Sequence, residues 1–113
     1  MSNDNLIWQL EQVEQQAVVT LNGILNRETV PQLWQQRQQF SLKANADLQS
    51  CQQLVWDLQQ ISHIDSAGFA LLTELLLLNP AEKVRLINLP EQCKNLAALF
   101  SLDQWLHHYL INK

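Results

Sequence analysis

The chain has 113 residues, 47% of them hydrophobic and 16% charged, with a formal net charge of −4; this suits one domain over residues 1–113 with one core, and argues against disorder. The acidic balance leaves neither the clustered Lys and Arg of a nucleic-acid footprint nor a polybasic membrane anchor. Cys51 and Cys93 form no C-x-x-C pair and read as ordinary thiols, residues 1–5 lack the basic and apolar regions of a signal peptide, and the apolar stretch 67–78 is too short for a span of ~20 residues, so the cytoplasm is the expected location.

Leu6, Trp8 and Leu10 alternate with Ile7, Gln9 and Glu11, the pattern of a first strand. Ala17 to Leu21 forms a second strand, stopped at Asn22-Gly23, and the two are expected to make a hairpin across Gln12 to Gln16. A helix is expected over 28–40, with Pro31 near its start and Val30, Leu33, Trp34 and Arg37 on one stripe. Residues 41–52 read as a polar, irregular and mobile loop. Leu54 to Leu58 suits a strand buried on both faces. A second helix runs from Ser66 to about Leu78 and ends at Asn79-Pro80. Val84 to Leu89 is another strand. Pro90 opens a third helix to about Phe100, with Leu96, Leu99 and Phe100 as its core face, and a short final helix carries Trp105, Leu106 and Leu110. Trp8, Trp34, Trp56 and Trp105 are expected as core anchors, with Trp34 alternatively a surface hot spot. The order β-β-α-β-α-β-α implies an α/β fold: a small mixed β-sheet with packed helices, its parallel strands joined by right-handed crossovers.

The stretch from Asp57 to Leu72 carries the functional reading. A buried strand leads through a loop to a helix N-terminus, whose unpaired N–H groups carry partial positive charge. Ser66 is expected to cap this helix. Gly68 in the first turn costs up to ~1 kcal/mol against Ala, which suggests a close-packing requirement. Leu71, Leu72, Leu75 and Leu78 can face the sheet, while Ser66, Ala70, Thr73 and Leu77 form a second stripe. A helix apolar on two sides must bury both, and a partner protein is the natural cover for the second. The expected contact set is Asp65, Ser66, Ala67, Gly68, Phe69, Ala70, Thr73 and Leu77, with Ala67, Gly68 and Ala70 making room. Asp65 is expected to orient the loop by accepting backbone N–H groups. Asn22 and Asn26 join the set on the expectation that their turn lies at the same sheet end as Asp65.

Asp57-Leu58-x-x-Ile61-x-x-Ile64-Asp65-Ser66-Ala67-Gly68 resembles the signature of STAS domains, the fold of anti-sigma-factor antagonists, and the order of elements agrees over nearly the whole chain. Within the family, the chain is most similar to the STAS subunits of Mla phospholipid-transport ABC complexes of Gram-negative bacteria. The similarity lies in Pro31-Gln32-Leu33-Trp34 with Arg37, in the run from Asp65 to Leu72, and in the run from Leu96 to Leu102. Gln59, where Ser is frequent, and the longer loop 41–52 depart from the pattern. The resemblance implies a non-catalytic subunit without cofactor or metal, peripheral to the inner membrane. It would bind and stabilise or regulate the cytoplasmic ATPase of a transporter that maintains outer-membrane lipid asymmetry, with Ser66 in the contact. The alternative implied by the same motif is an anti-sigma-factor antagonist switched by phosphorylation of Ser66.

Other chemistry fares worse. Ser66 with His63 and Asp57 or Asp65 is a poor hydrolase triad, because His63 closely precedes Ser66 in the chain and no G-x-S-x-G elbow exists. His107 and His108 are adjacent, so they seldom share a metal, and no acidic or Cys cluster is local to them.

Overall fold

The computed structural model describes residues 5–110. Strands β1 (Leu6–Val13) and β2 (Gln16–Leu25) form an antiparallel hairpin, from Leu6 opposite Gly23 to Val13 opposite Gln16. The sequence alternation sets their faces. Leu6, Trp8, Leu10, Ala17, Val19 and Leu21 point at the helices, while Ile7, Gln9, Thr20 and Asn22 lie on the other face. The turn between the strands contains no Gly; Glu14 supplies the left-handed residue instead, at φ +58°.

Strand β3 (Gln53–Asp57) lies parallel to the first half of β2, and β5 (Val84–Ile87) lies parallel to β3. Strand β4 (Ile61–Ile64) lies parallel to the second half of β2. The five strands therefore run β1-β2-β3-β5, with β4 beside β2. Helices α1 (Val30–Gln35), α2 (Ser66–Leu76), α3 (Glu91–Leu99) and α4 (Asp103–His107) complete the mixed α/β fold.

Several sequence expectations are corrected. Asn22-Gly23 does not stop β2. Gly23 adopts φ +121° at a register shift, and the Asn5 carbonyl stands where a Cβ would be. The strand thereby changes neighbour, from β3 to β4, and continues to Leu25. Strand β4 itself falls where a loop was expected. Its buried residues, Ile61 and Ile64, stand at its two ends and show no alternation.

The helix expected over 28–40 stops after Gln35 and tightens into a 3₁₀ turn over Arg37–Phe40. That tightening brings Phe40 into the core, edge-on to Trp8 at 4.9 Å and to Trp56 at 5.1 Å. Trp34 is correspondingly not a core anchor; it is 38% exposed, with the Arg37 guanidinium 4.0 Å above its ring.

The segment 41–52 is tied down rather than loose. Leu42, Leu48 and Cys51 are buried, and the Gln12 amide donates to the Asp47 carbonyl. Buried Asn79 holds the segment's start. Its Oδ1 accepts from the Leu42 N–H at 2.8 Å and its Nδ2 donates to the Phe40 carbonyl at 2.9 Å. In α3 the core face is Cys93 and Ala97, while Leu99 and Phe100 point outward. Burial pushes the Cys93 thiol up to about 12, so it packs as an apolar group and is no nucleophile.

Asn79→Leu keeps the side-chain volume but orphans two buried backbone groups. We expect it to destabilise the fold by about 2–4 kcal/mol in urea unfolding.

Candidate functional site

The start of α2 is built around Asp65. Its backbone is extended, at φ −106° and ψ −174°, and its Oδ1 accepts from the Gly68 N–H at 2.8 Å. Asp65 is therefore the N-cap, and the expectation that Ser66 caps the helix is corrected. A cap must precede the first helical residue so that its side chain can reach forward to the orphan donors of the first turn. Ser66 is already the first helical residue, and it is exposed. The other carboxylate oxygen of Asp65 accepts from the Arg27 N–H at 3.4 Å. One side chain thus joins the α2 start to the turn after β2, as expected of a loop-orienting residue.

Asn26 forms that turn, its Oδ1 accepting from the N–H groups of Glu28 and Thr29. It does lie beside Asp65. Asn22 does not: it sits inside β2, opposite Ile7, exposed on the sheet face away from the helices. The strand continues past it, so it never reaches the end where the turn lies.

Two further residues of the expected contact set lie in the interior. Gly68 is buried against β2, where the Leu25 carbonyl occupies the place of a Cβ. Its small size serves packing within this chain rather than making room for a partner. Phe69 is 1% exposed and stacks on Phe100, with ring centroids 6.1 Å apart. Leu71, Leu72 and Leu75 are buried as expected, and Leu76 joins them.

The second stripe of α2 remains open. Ser66, Ala70 and Leu77 are exposed, with Leu77 at 59%, and Ala67 and Thr73 are half-buried. The stripe faces the corner between α3 and α4. One cavity of about 290 Å³ is lined by Ser66, Phe69, Ala70, Thr73, Phe100 and Leu102. A second, of about 250 Å³, is lined by Thr73, Leu77, Leu102 and Trp105. They share Thr73 and Leu102 and so form one apolar groove. The Thr73 hydroxyl donates to the Ala70 carbonyl at 2.6 Å, so it brings no unpaired polar group into the groove.

The far wall differs from the sequence expectation, which places Phe100 in the core. A usable signal was there: Cys93 and Ala97, at i and i+4, already supply an inward stripe for α3. Leu99 and Phe100 are then in excess. The helix ends with Ser101 at φ +59° and the Leu102 N–H donating to the Ala97 carbonyl at 2.7 Å, a turn that places Phe100 and Leu102 on the groove.

The candidate triad members are engaged elsewhere. His63 Nδ1 lies 3.3 Å from Gln92 Nε2, and Asp57 Oδ1 accepts from the Gln59 N–H and from Asn88 Nδ2. His108 Nδ1 lies 2.9 Å from the Gln104 carbonyl oxygen, and among the described residues no group of three His, Cys, Asp or Glu side chains could hold a metal. No helix among the described residues is long and apolar enough to cross a membrane.

The family model described as "Mlab, STAS domain" matches residues 8–111. The chain belongs to the STAS family. It is 36% identical over 109 residues to the intermembrane phospholipid transport system binding protein MlaB of Haemophilus influenzae, covering 93% of this chain and 99% of that protein. Among solved structures, the STAS fold recurs in an anti-sigma factor antagonist from Mycobacterium paratuberculosis, at 20% identity and a TM-score of 0.71, over 99% of this chain and 90% of that one. It recurs also in the anti-sigma factor antagonist SpoIIAA in its unphosphorylated form, at 22% identity and a TM-score of 0.57, over 95% of this chain and 88% of that one. At these identities the structures establish the STAS fold alone.

The cap assignment makes a graded prediction. Asp65→Ala should destabilise the domain by about 1 kcal/mol, Asp65→Asn should lose much less, and Ser66→Ala should leave stability unchanged, as measured by thermal and urea unfolding.

Proposed function

We propose that this chain is a non-catalytic STAS subunit of a phospholipid-transporting ABC complex, and that it binds and steadies the complex's cytoplasmic ATPase through the α2 groove. The observation that carries this reading is the groove itself. Ala70, Thr73, Leu77, Phe100, Leu102 and Trp105 line an apolar groove that is open to solvent. Apolar channels of this kind mark protein contacts. The named H. influenzae relative supports the transport context, and the chemistry of transport would then reside in the ATPase and the membrane subunits. The chain would sit in the cytoplasm, at the inner membrane only through its complex. Residues proposed to touch the ATPase are Ser66, Ala67, Ala70, Thr73 and Leu77, with Asp65 and Asn26 holding the adjoining turn.

A second reading, the anti-sigma-factor antagonist, rests on the exposed hydroxyl of Ser66 at the start of α2. A helix N-terminus favours a phosphate there. Asp65 opposes it, since its carboxylate already occupies the Gly68 N–H, and a phosphate beside it would set two anions together.

Ala70→Arg places a charged side chain in the groove from an exposed position. We expect it to weaken capture of the transporter ATPase by tenfold or more, on the order of a hot-spot loss, with unchanged circular dichroism. Thr20→Arg, on the opposite sheet face, should bind as the unaltered chain does. Undiminished capture by Ala70→Arg defeats the groove assignment. Intact-mass measurement of the chain from its host addresses the second reading, for which a stoichiometric phosphate on Ser66 is required.

A further inference from the structure

The strands at the two ends of the β1-β2-β3-β5 order are treated differently. At β5 the edge is covered, as the Leu86 N–H donates to the Tyr109 carbonyl at 2.7 Å and Leu110 bridges alongside. At β1 it is open. The odd-numbered residues of β1 turn their backbone groups inward, as the Asn5 carbonyl does in accepting from the Ile24 N–H at 2.8 Å. The even-numbered ones turn theirs outward. The Leu6 carbonyl demonstrates this by accepting from Gln32 Nε2 at 2.8 Å. Past that bond, the outward groups of Trp8, Leu10 and Gln12 have no partner among the described residues, and the left-handed Glu14 ends the strand. The free stretch is centred on Leu10. It is unbulged, with Glu11 as its single charge and neither Lys nor Pro to discourage pairing.

We propose that this edge pairs antiparallel with the same edge of a second copy, about a two-fold axis at Leu10, so that two sheets become one. Trp8 then stands opposite Gln12 of the second copy and Leu10 opposite its own counterpart. Every free N–H meets a free carbonyl. The Gln32 bond at one end and the Glu14 turn at the other bound the same stretch in both copies.

The side chains select this register. On the open sheet face, Ile7, 57% exposed, comes opposite Val13, 49% exposed, and Gln9 comes opposite Glu11. Moving the axis to Gln9 puts Ile7 against Glu11. Moving it to Glu11 puts two carboxylates face to face, which is destabilising. The apolar-to-apolar match that covers Ile7 and Val13 is the reason the occupant is a second copy rather than an unrelated strand. None of the groove residues lies on β1, so the pair would carry two open grooves, and this inference stands apart from the docking reading.

Sedimentation velocity of the full chain over a concentration series tests it. We expect a monomer–dimer equilibrium, and the Ile7→Lys/Val13→Lys double variant should weaken it by about tenfold or more by setting Lys opposite Lys. Both side chains are exposed, so circular dichroism and melting should be retained. The register has its own readout. Ile7→Cys and Val13→Cys chains, mixed and oxidised, should cross-link to each other faster than either does to itself; Cys51 and Cys93 are buried and do not compete. A chain that stays monomeric at every concentration, a dimer indifferent to the double Lys variant, or self-cross-linking of Ile7→Cys in preference to the mixed product overturns the proposal.

Discussion

The structure hangs on the contact between the backbone of Leu25, at the end of β2, and the first turn of α2. The Leu25 carbonyl accepts from the Asp65 N–H at 3.2 Å and lies where Gly68 has no side chain. Any Cβ at position 68 would strike that oxygen, and a backbone oxygen in a paired strand cannot move aside cheaply. The contact sets how close the helix comes to the sheet and how it is rotated. Once it is fixed, Leu72, Leu75 and Leu76 enter the core and Ala70, Thr73 and Leu77 do not. The same contact requires β2 to run two residues past Gly23, which in turn requires the shift of partner from β3 to β4. Glycine therefore appears at two points for one purpose: at Gly23 to let the strand turn past Asn5, and at Gly68 to let the helix close on it.

Asp65 complements this with hydrogen bonds instead of packing. Its backbone N–H goes to β2, one carboxylate oxygen to the helix, and the other to the turn at Arg27. Three elements meet at one residue, so the exposed Ser66 beside it is held in place with no need for its own hydroxyl. Such rigidity suits a docking surface, because a preformed patch loses less conformational freedom on association. The stack of Phe69 on Phe100 extends the rigidity to the far wall of the groove.

What the sequence made legible follows from how local each signal is. The hairpin was readable from the alternation of Leu6, Trp8 and Leu10 with their polar neighbours, and α2 from its doubled apolar stripes. The Asp57 to Gly68 spacing carried the family. The misreadings arose where a distant contact decides the local conformation. Asn22-Gly23 is a stop signal by composition, but the neighbouring Asn5 carbonyl and β4 turn it into a change of partner. The helix over 28–40 has a helical pattern as far as Arg37, yet the gap between Trp8 and Trp56 draws Phe40 inward and tightens the chain. Loop 41–52 is polar in composition, and its three buried side chains are spaced too irregularly to announce themselves. In the site, the stripe on α2 was legible because it repeats; the wall opposite was not, since Phe100 and Leu102 reach the groove through a helix end rather than through a period.

The position of Ser66 now has a narrower chemical meaning. As an N-cap its hydroxyl would have been committed to the helix; as the first helical residue it is free to face whatever meets the groove. The space behind it is lined by Phe69, Ala70 and Phe100, which favours a neighbour that is small and apolar where it enters and able to bond a hydroxyl at the rim. A phosphate satisfies the rim but not the channel, whereas a protein surface can satisfy both. The apolar lining along Ala70, Thr73 and Leu77 therefore supports the proposed docking reading, and the Asp65 carboxylate on the Gly68 N–H weighs on the same side.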